Sequence, residues 1–135
     1  MTYAVRYYTK SGNTEKLAKA IEEQTGIPAL TVESDLEDKT DVLLLGCSYY
    51  AFDMDPVVKA FITVNRDKIG QIVLFGTSAM IKSMKKPLAK VVDGLAISIA
   101  EEEFHCPGSF GPMHKGRPNA DDLKAVKEFA AKIVK

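Results

Sequence analysis

The sequence predicts an α/β protein in which helices cover both faces of a parallel sheet. Two runs, at residues 42–46 and at residues 72–76 of the predicted strand 71–76, are continuously apolar instead of alternating with polar residues. Such runs are typical of strands that are buried on both faces of a parallel sheet. Segments with apolar residues at helical spacing separate the apolar runs along the chain. Because strands then alternate with helices, we expect right-handed crossover connections between parallel strands.

The order of the predicted elements is β-α-β-β-α-β-α-β-α. Strands are predicted at residues 3–8, 28–32, 42–46, 71–76 and within 95–106. Helices are predicted at about residues 14–24, after 55, within 84–92 and after 119. Residues 33–41 are acidic and polar, and form a connection too short for a further full helix. Residues 106–118 contain three glycines and are predicted to be irregular.

Capping residues and glycines indicate where the helices begin and end. Asp55 and Pro56 are typical of an N-cap followed by proline at the first helical position. Asn119 is the predicted N-cap of the last helix, Gly26 ends the first, and Pro87 belongs in a first turn. The predicted buried faces are Leu17, Ala18 and Ile21 in the first helix, Val57, Val58, Phe61 and Ile62 in the second, and Leu123, Val126, Ala130 and Ile133 in the last.

Arg6 does not fit the apolar pattern of the first strand. A charged side chain within a strand near the centre of a sheet has to be paired or has to reach an edge. The sequence does not indicate which partner it finds. The position is therefore a test of the predicted fold, because the structure has to supply acceptors for a guanidinium group that enters the core.

Composition and charge restrict the classes of function. The 135 residues suit one domain, 1–135, with 46% hydrophobic and 27% charged residues, as in a soluble globular protein. Lys and Arg number 18, equal to Asp and Glu, so neither nucleic acid nor an anionic membrane is an expected partner. The N-terminal residues lack the pattern of a secretory signal, and a cytoplasmic location is expected.

Neither a disulfide nor a metal site is predicted. Cys47 and Cys106 belong to predicted strands with another strand between them, about 10 Å apart, which is too far for a disulfide. His105 and His114 lack the spacing of metal ligands. The chain also shows no constellation of acid, base and nucleophile, so no catalytic residue is predicted.

Ligands of open α/β sheets bind beyond the carboxyl ends of the strands, where the strand order reverses. The first segment predicted there, residues 9–14, joins a strand directly to the N-terminus of a helix. Backbone N–H groups and the helix dipole favour an anion at such a position. The segment lacks the spacing of a Walker A or dinucleotide motif, so its hydroxyl and amide groups suit a phosphate monoester, or only a turn and a helix cap. Its members are Thr9, Lys10, Ser11, Gly12, Asn13 and Thr14.

Two further segments follow the third and fourth strands. The first is rich in aromatic residues, on which a planar ligand could stack, although some of these rings could instead pack beneath the loop. It consists of Ser48, Tyr49, Tyr50, Ala51 and Phe52. The second has small residues that allow backbone amides to approach a ligand. It consists of Thr77, Ser78, Ala79 and Met80.

In this setting the chain resembles the flavodoxin family. The resemblance rests on the phosphate-loop pattern [ST]-x-[ST]-G-N-[ST], which residues 9–14 match directly after the first strand, and on the character of the other two loops. It implies a flavodoxin-like three-layer α/β sandwich with a five-stranded parallel sheet of order 2-1-3-4-5. It also implies FMN as the cofactor, with the phosphate on residues 9–14 and the isoalloxazine between residues 48–52 and 77–80.

The resemblance implies an FMN-binding protein that transfers electrons between redox partner proteins, a reductase and an acceptor. Two alternatives stay open: an NAD(P)H-dependent FMN oxidoreductase acting on quinone-like acceptors, and a non-redox interaction domain. The lack of a catalytic constellation favours a carrier over a stand-alone enzyme. Lys82, Lys85 and Lys86 form a basic cluster that is either solvated or a docking patch for an acidic partner. The oligomeric state does not follow from the sequence.

Overall fold

Five parallel strands form one sheet in the order β2-β1-β3-β4-β5. The computed structural model describes residues 1–48, 53–78, 83–108 and 116–135. Within these ranges the strands are β1 Tyr3–Tyr7, β2 Ala29–Thr31, β3 Thr40–Ser48, β4 Ile69–Ser78 and β5 Ser98–Pro107. The helices are α1 Asn13–Thr25, α2 Pro56–Val64, α3 Lys85–Val92 and α4 Ala120–Ile133, with a 3-10 turn at Arg66–Lys68. The predicted α/β class and strand order are confirmed.

The two central strands are longer than their apolar runs. β3 begins at Thr40 and ends at Ser48, whereas β4 begins at Ile69 and ends at Ser78. Their backbones stay paired over this length, from Thr40 opposite Ile69 to Ser48 opposite Thr77. The predicted boundaries were too short because backbone pairing continues past the last apolar side chain.

Side chains of the central strands pack alternately on the two faces of the sheet. Leu43 and Leu45 of β3 lie in a core with α2 and α3, whereas Val42 and Leu44 lie in a second core with α1 and α4. The strands are therefore buried on both faces, as their continuous apolar runs predicted. The first core also includes Leu36 from the connection between β2 and β3, which covers part of the sheet without forming a helix.

The predicted helix ends are confirmed. Asp55 is the N-cap of α2 and accepts a hydrogen bond from the backbone N–H of Val57. Asn119 and Asp122 form a capping box at the start of α4. Gly26 ends α1 in the left-handed conformation, with φ of 76°. Each device provides partners for backbone groups that the helix itself leaves unpaired.

One predicted core residue of α2 is wrong. Val57 is 43% exposed, whereas Val58, Phe61 and Ile62 are buried as expected. Successive residues of a helix are rotated by about 100°, so a face centred on residues 58, 61 and 62 turns Val57 towards solvent. In α4, Val126 and Ala130 are fully buried, and Leu123 and Ile133 are half-buried at the margin of the same face.

Arg6 is buried in β1 and ties the connection after β2 to the sheet. Its guanidinium donates from Nε to the carbonyl of Ser34 at 2.9 Å, from Nη1 to that of Val5 at 3.0 Å and from Nη2 to that of Asp35 at 3.2 Å. Burial lowers the pKa of Arg6, and the carboxylates of Glu37 and Asp35 oppose that shift. The charge inside the sheet thus has three acceptors, all of them backbone carbonyls.

We expect Arg6→Lys to lower the free energy of unfolding by about 2–3 kcal/mol. A lysine ammonium group cannot reproduce three donors in a planar fork, and the buried carbonyls would lose charged partners. Urea denaturation followed by circular dichroism measures the change. Arg66→Lys is the matched control, because exposed Arg66 donates to the carbonyl of Thr63, three residues earlier, and we expect a change below about 0.5 kcal/mol. Equal losses in the two variants would contradict this role for Arg6.

An ion pair anchors the N-terminus of α4. Arg117 donates from Nε and Nη2 to the two carboxylate oxygens of Asp122, at 2.6 and 2.7 Å. The backbone N–H of Asn119 donates to the same carboxylate at 2.8 Å. The hydrogen bond from Arg117 is the main cause that lowers the pKa of Asp122, and burial opposes it.

We expect Asp122→Asn to destabilise the protein by about 1–2 kcal/mol at pH 7. Folding lowers the pKa of Asp122, so its stabilising contribution is complete above the unfolded-state pKa of about 3.9. This contribution is lost as the pH falls through the folded-state pKa. The difference between wild type and variant should therefore shrink below about pH 4. Denaturation at several pH values measures this, with exposed Asp121→Asn as the control. A difference that does not vary with pH would contradict it.

Candidate functional site

The strand order reverses between β1 and β3. β1 continues through α1 to β2 on one side, and the chain then crosses to β3 on the other side of β1. Tyr7 pairs with Gly46, and Ser48 pairs with Thr77, so β1, β3 and β4 end at the same edge of the sheet. The three predicted site segments therefore start at one edge of the sheet.

The loop between β1 and α1 ends in a glycine N-cap. Gly12 has φ of 88°, in the left-handed region, and carries no side chain that could cover the first turn of α1. Its N–H donates to Oγ1 of Thr9 at 2.9 Å, and the N–H of Asn13 donates to Oγ of Ser11 at 3.5 Å. The two hydroxyl oxygens therefore shape the loop, while each hydroxyl hydrogen can still be donated outwards.

The start of α1 contacts the end of β4. Oγ1 of Thr14 lies 3.3 Å from Oγ1 of Thr77, and both side chains are almost completely buried. These residues are 63 positions apart and belong to two different predicted site segments. The start of α1 and the end of β4 therefore meet, with these two hydroxyls in the core.

Two glycines make this approach possible. A Cβ at Gly46 of β3 would lie 2.4 Å from the ring of Phe75 and 3.0 Å from Cγ2 of Thr14. A Cβ at Gly108, directly after β5, would lie 2.9 Å from Cβ of Thr77 and 3.0 Å from Nδ2 of Asn13. Real Cβ atoms require more room, so both positions need glycine. The sequence analysis missed these roles because nothing local in the chain shows which residues a glycine faces.

An ion pair links the first loop to the start of α2. Nζ of Lys10 lies 3.5 Å from Oδ2 of Asp55, whose other oxygen caps the helix. Lys10 is exposed and Asp55 is largely covered. The lysine charge is thus partly balanced within the protein, so a phosphate on this loop would depend mainly on neutral donors and the helix terminus.

The end of the second segment is held by Asp53. Its carboxylate accepts from the N–H of Met54 at 2.7 Å and from Nζ of Lys59 at 2.8 Å. The hydrogen bond from Lys59 is the main cause that lowers the pKa of Asp53. Met54 beneath it is fully buried, so the chain enters α2 from a fixed point.

Six predicted site residues lie outside the described ranges, and their role stays a prediction. They are Tyr49, Tyr50, Ala51, Phe52, Ala79 and Met80. Ser48 and Ser78 are the last residues of β3 and β4, so the undescribed segments start at the strand edge identified above. In the irregular stretch after β5, residues 109–115 are likewise outside the described ranges.

The cysteines lie on opposite faces of the sheet. Cys47 belongs to the core under α2 and α3, Cys106 to the core under α1 and α4, and both are free thiols. Burial raises the pKa of each to about 12. They are therefore neutral and unreactive at physiological pH, and no disulfide joins them, as predicted. Among the described residues, no group of three possible metal ligands occurs.

Comparisons with known proteins identify the fold. No family model matches the chain. An uncharacterised protein of Methanocaldococcus jannaschii is 28% identical over an alignment 137 positions long, which covers 91% of each chain. A solved flavodoxin from the domain Archaea is similar with a TM-score of 0.75 and 15% identity, over 99% of this chain and 96% of that one. This chain has the flavodoxin-like fold.

A second solved structure with this fold is a flavoprotein in complex with FMN from Lactobacillus acidophilus. Its TM-score is 0.65 at 14% identity, over 77% of this chain and 92% of that one. The resemblance drawn from residues 9–14 is thereby confirmed at the level of the flavodoxin-like fold. Among the described residues, no helix is long and apolar enough to cross a membrane.

We expect the Thr14–Thr77 contact at the base of the candidate site to be measurable by a double-mutant cycle. Thr77→Val alone should cost about 1–3 kcal/mol, because it removes a partner of the buried Thr14 hydroxyl. Thr14→Val combined with Thr77→Val should cost at least about 0.5 kcal/mol less than the sum of the single changes. Urea denaturation of the four proteins measures the coupling. Strict additivity would show that the two hydroxyls do not interact.

Proposed function

We propose that this protein binds FMN at the reversal point of the sheet and carries electrons between redox proteins. The observation that carries the proposal is the loop between β1 and α1. It places a glycine N-cap and a hydroxyl-rich loop at the helix N-terminus, beside the carboxyl ends of β3 and β4. The flavodoxin-like fold and the similar flavoprotein in complex with FMN support this choice of ligand.

The residues around the loop fit a phosphate monoester. Thr9 and Ser11 can each donate a hydroxyl hydrogen while their oxygens accept from the loop backbone. Gly12 leaves the end of α1 without a covering side chain, where the helix dipole stabilises negative charge. The missing Cβ at Gly108 allows the chain at the end of β5 to approach Nδ2 of Asn13, the first residue of α1.

The remaining parts of the site would hold the ring system. Bound FMN supplies one- and two-electron redox chemistry, which the described side chains themselves do not provide. Residues 49–52 and 79–80 extend from the adjacent ends of β3 and β4, and we expect at least one of Tyr49, Tyr50 and Phe52 to stack on the isoalloxazine. The protein's own task is then to bind, orient and partly shield the cofactor, while the pair Lys10–Asp55 holds two of the loops together.

We expect FMN to bind far more tightly than riboflavin, because only FMN has the phosphate that the loop is proposed to hold. Fluorescence-quenching titrations measure both dissociation constants. Ser11→Ala should weaken FMN by about tenfold, equivalent to about 1.4 kcal/mol, and should leave riboflavin unchanged. Ser98→Ala, at the opposite edge of the sheet, is the matched control. Equal affinities for the two flavins would contradict the assignment of the phosphate loop.

Adding NAD(P)H to the protein loaded with FMN distinguishes a carrier from an enzyme. A carrier loaded with FMN should keep its yellow absorbance when NAD(P)H is added alone, and should lose it only when a reductase is present. Rapid bleaching by NAD(P)H without a reductase would instead identify an oxidoreductase. Failure to bind any flavin would exclude both functions and leave the interaction domain.

A further inference from the structure

A basic groove lies between α2 and α3. It has a volume of about 720 Å³ and is lined by Asp53, Lys59, Thr63, Lys86, Pro87, Lys90 and Val91. Three ammonium groups thus face one carboxylate among the described lining residues. Because Lys59 already donates to Asp53 at 2.8 Å, the groove presents two further positive charges, on Lys86 and Lys90. Both of these lysines are exposed and lie one helical turn apart.

The outer face of α2 continues the groove with uncharged residues. Its exposed residues are Pro56, Val57, Ala60, Thr63 and Val64. Val64 is 67% exposed and Val57 is 43% exposed, so both of these apolar side chains face solvent. Lys59 is the one charged residue in the nine residues of α2. Thr63 belongs both to this face and to the groove, so the two surfaces are continuous.

The position of this surface connects it with the candidate site. α2 and α3 follow the chain segments that leave the ends of β3 and β4, and Asp53 lies directly after residues 49–52. A partner that covers the groove would therefore contact Asp53, the residue that follows one of the segments proposed to hold the flavin ring. Protein interfaces commonly combine apolar residues with a polar rim, and this surface has both apolar and polar residues.

We propose that the α2–α3 groove and the outer face of α2 form the docking surface for an electron-transfer partner with an acidic surface. This inference rests on the proposed function. Exposed lysines in an open groove attract small anions only weakly, because water screens the charges. A protein that covers the groove and the α2 face together excludes water from both and so strengthens each charge contact. Since the net charge of the chain is zero, electrostatic attraction of an acidic partner has to come from a local group of positive charges.

The test measures binding of an acidic plant-type ferredoxin by isothermal titration calorimetry at about 50 mM salt, where charges are weakly screened. Lys86→Glu combined with Lys90→Glu should weaken binding by at least about tenfold. Lys124→Glu combined with Lys132→Glu changes the net charge equally on exposed residues of α4, against the other face of the sheet, and should change binding by less than about twofold. Val64→Ser should weaken binding without changing any charge.

The other outcomes would overturn the proposal. They are equal losses in the two charge-reversed variants, no binding of ferredoxin to the wild type, and binding of a mixed-sequence oligonucleotide in its place. A wild-type dimer that Val64→Ser converts to a monomer would also overturn the proposal, because the α2 face would then bind a second copy of the chain. FMN titration of the same proteins separates the two proposals: flavin binding without ferredoxin binding rejects only the docking surface, and ferredoxin binding without flavin binding rejects only the proposed function.

Discussion

The first turn of α1 and the ends of β3, β4 and β5 pack closely together. A Cβ at Gly46 would meet the ring of Phe75 and Thr14, and a Cβ at Gly108 would meet Thr77 and Asn13. This close approach brings Thr14 to Thr77 and sets the position of the loop that precedes the helix. The loop hydroxyls, the glycine N-cap and the adjoining strand ends depend on it, because each is attached to one of the elements that meet there. The geometry of the candidate site is therefore a consequence of packing in the core directly beneath it.

Charges contribute in a different way, through local ion pairs near the starts of α2 and α4. Lys10 faces Asp55, Lys59 faces Asp53, and Arg117 faces Asp122. The first two are surface pairs, which contribute little to stability, about 0–1 kcal/mol each, whereas Asp122 is buried and also accepts the N–H of the cap residue Asn119. Their positions matter more than their energies, because the first two lie where the loops around the site meet α2. An anion on the β1–α1 loop would thus be held chiefly by hydroxyl and backbone donors and by the helix terminus.

The two faces of the sheet are used differently. On one face, α1 and α4 pack against each other and against a core that reaches from Val5 to Ala130. On the other face, α2 and α3 leave a groove between them, and the connection after β2 covers the sheet without a helix. Arg6 compensates for that shorter cover by binding the carbonyls of Ser34 and Asp35 from within the sheet. The face of the sheet covered by α2 and α3 is also the one on which a helix, α2, presents uncharged residues to solvent.

The sequence by itself determined the class of fold, the order of its elements and the ends of its helices. These features follow from local patterns: apolar runs, helical spacing, and the caps at Asp55 and Asn119, whose partners lie within three residues. The strand order came from resemblance to a family, through residues 9–14. Only the tertiary structure decided the acceptors of Arg6, the exposure of Val57, the need for glycine at positions 46 and 108, and the groove between α2 and α3. Each of these depends on residues that are distant in the chain and become neighbours only when the sheet and helices pack.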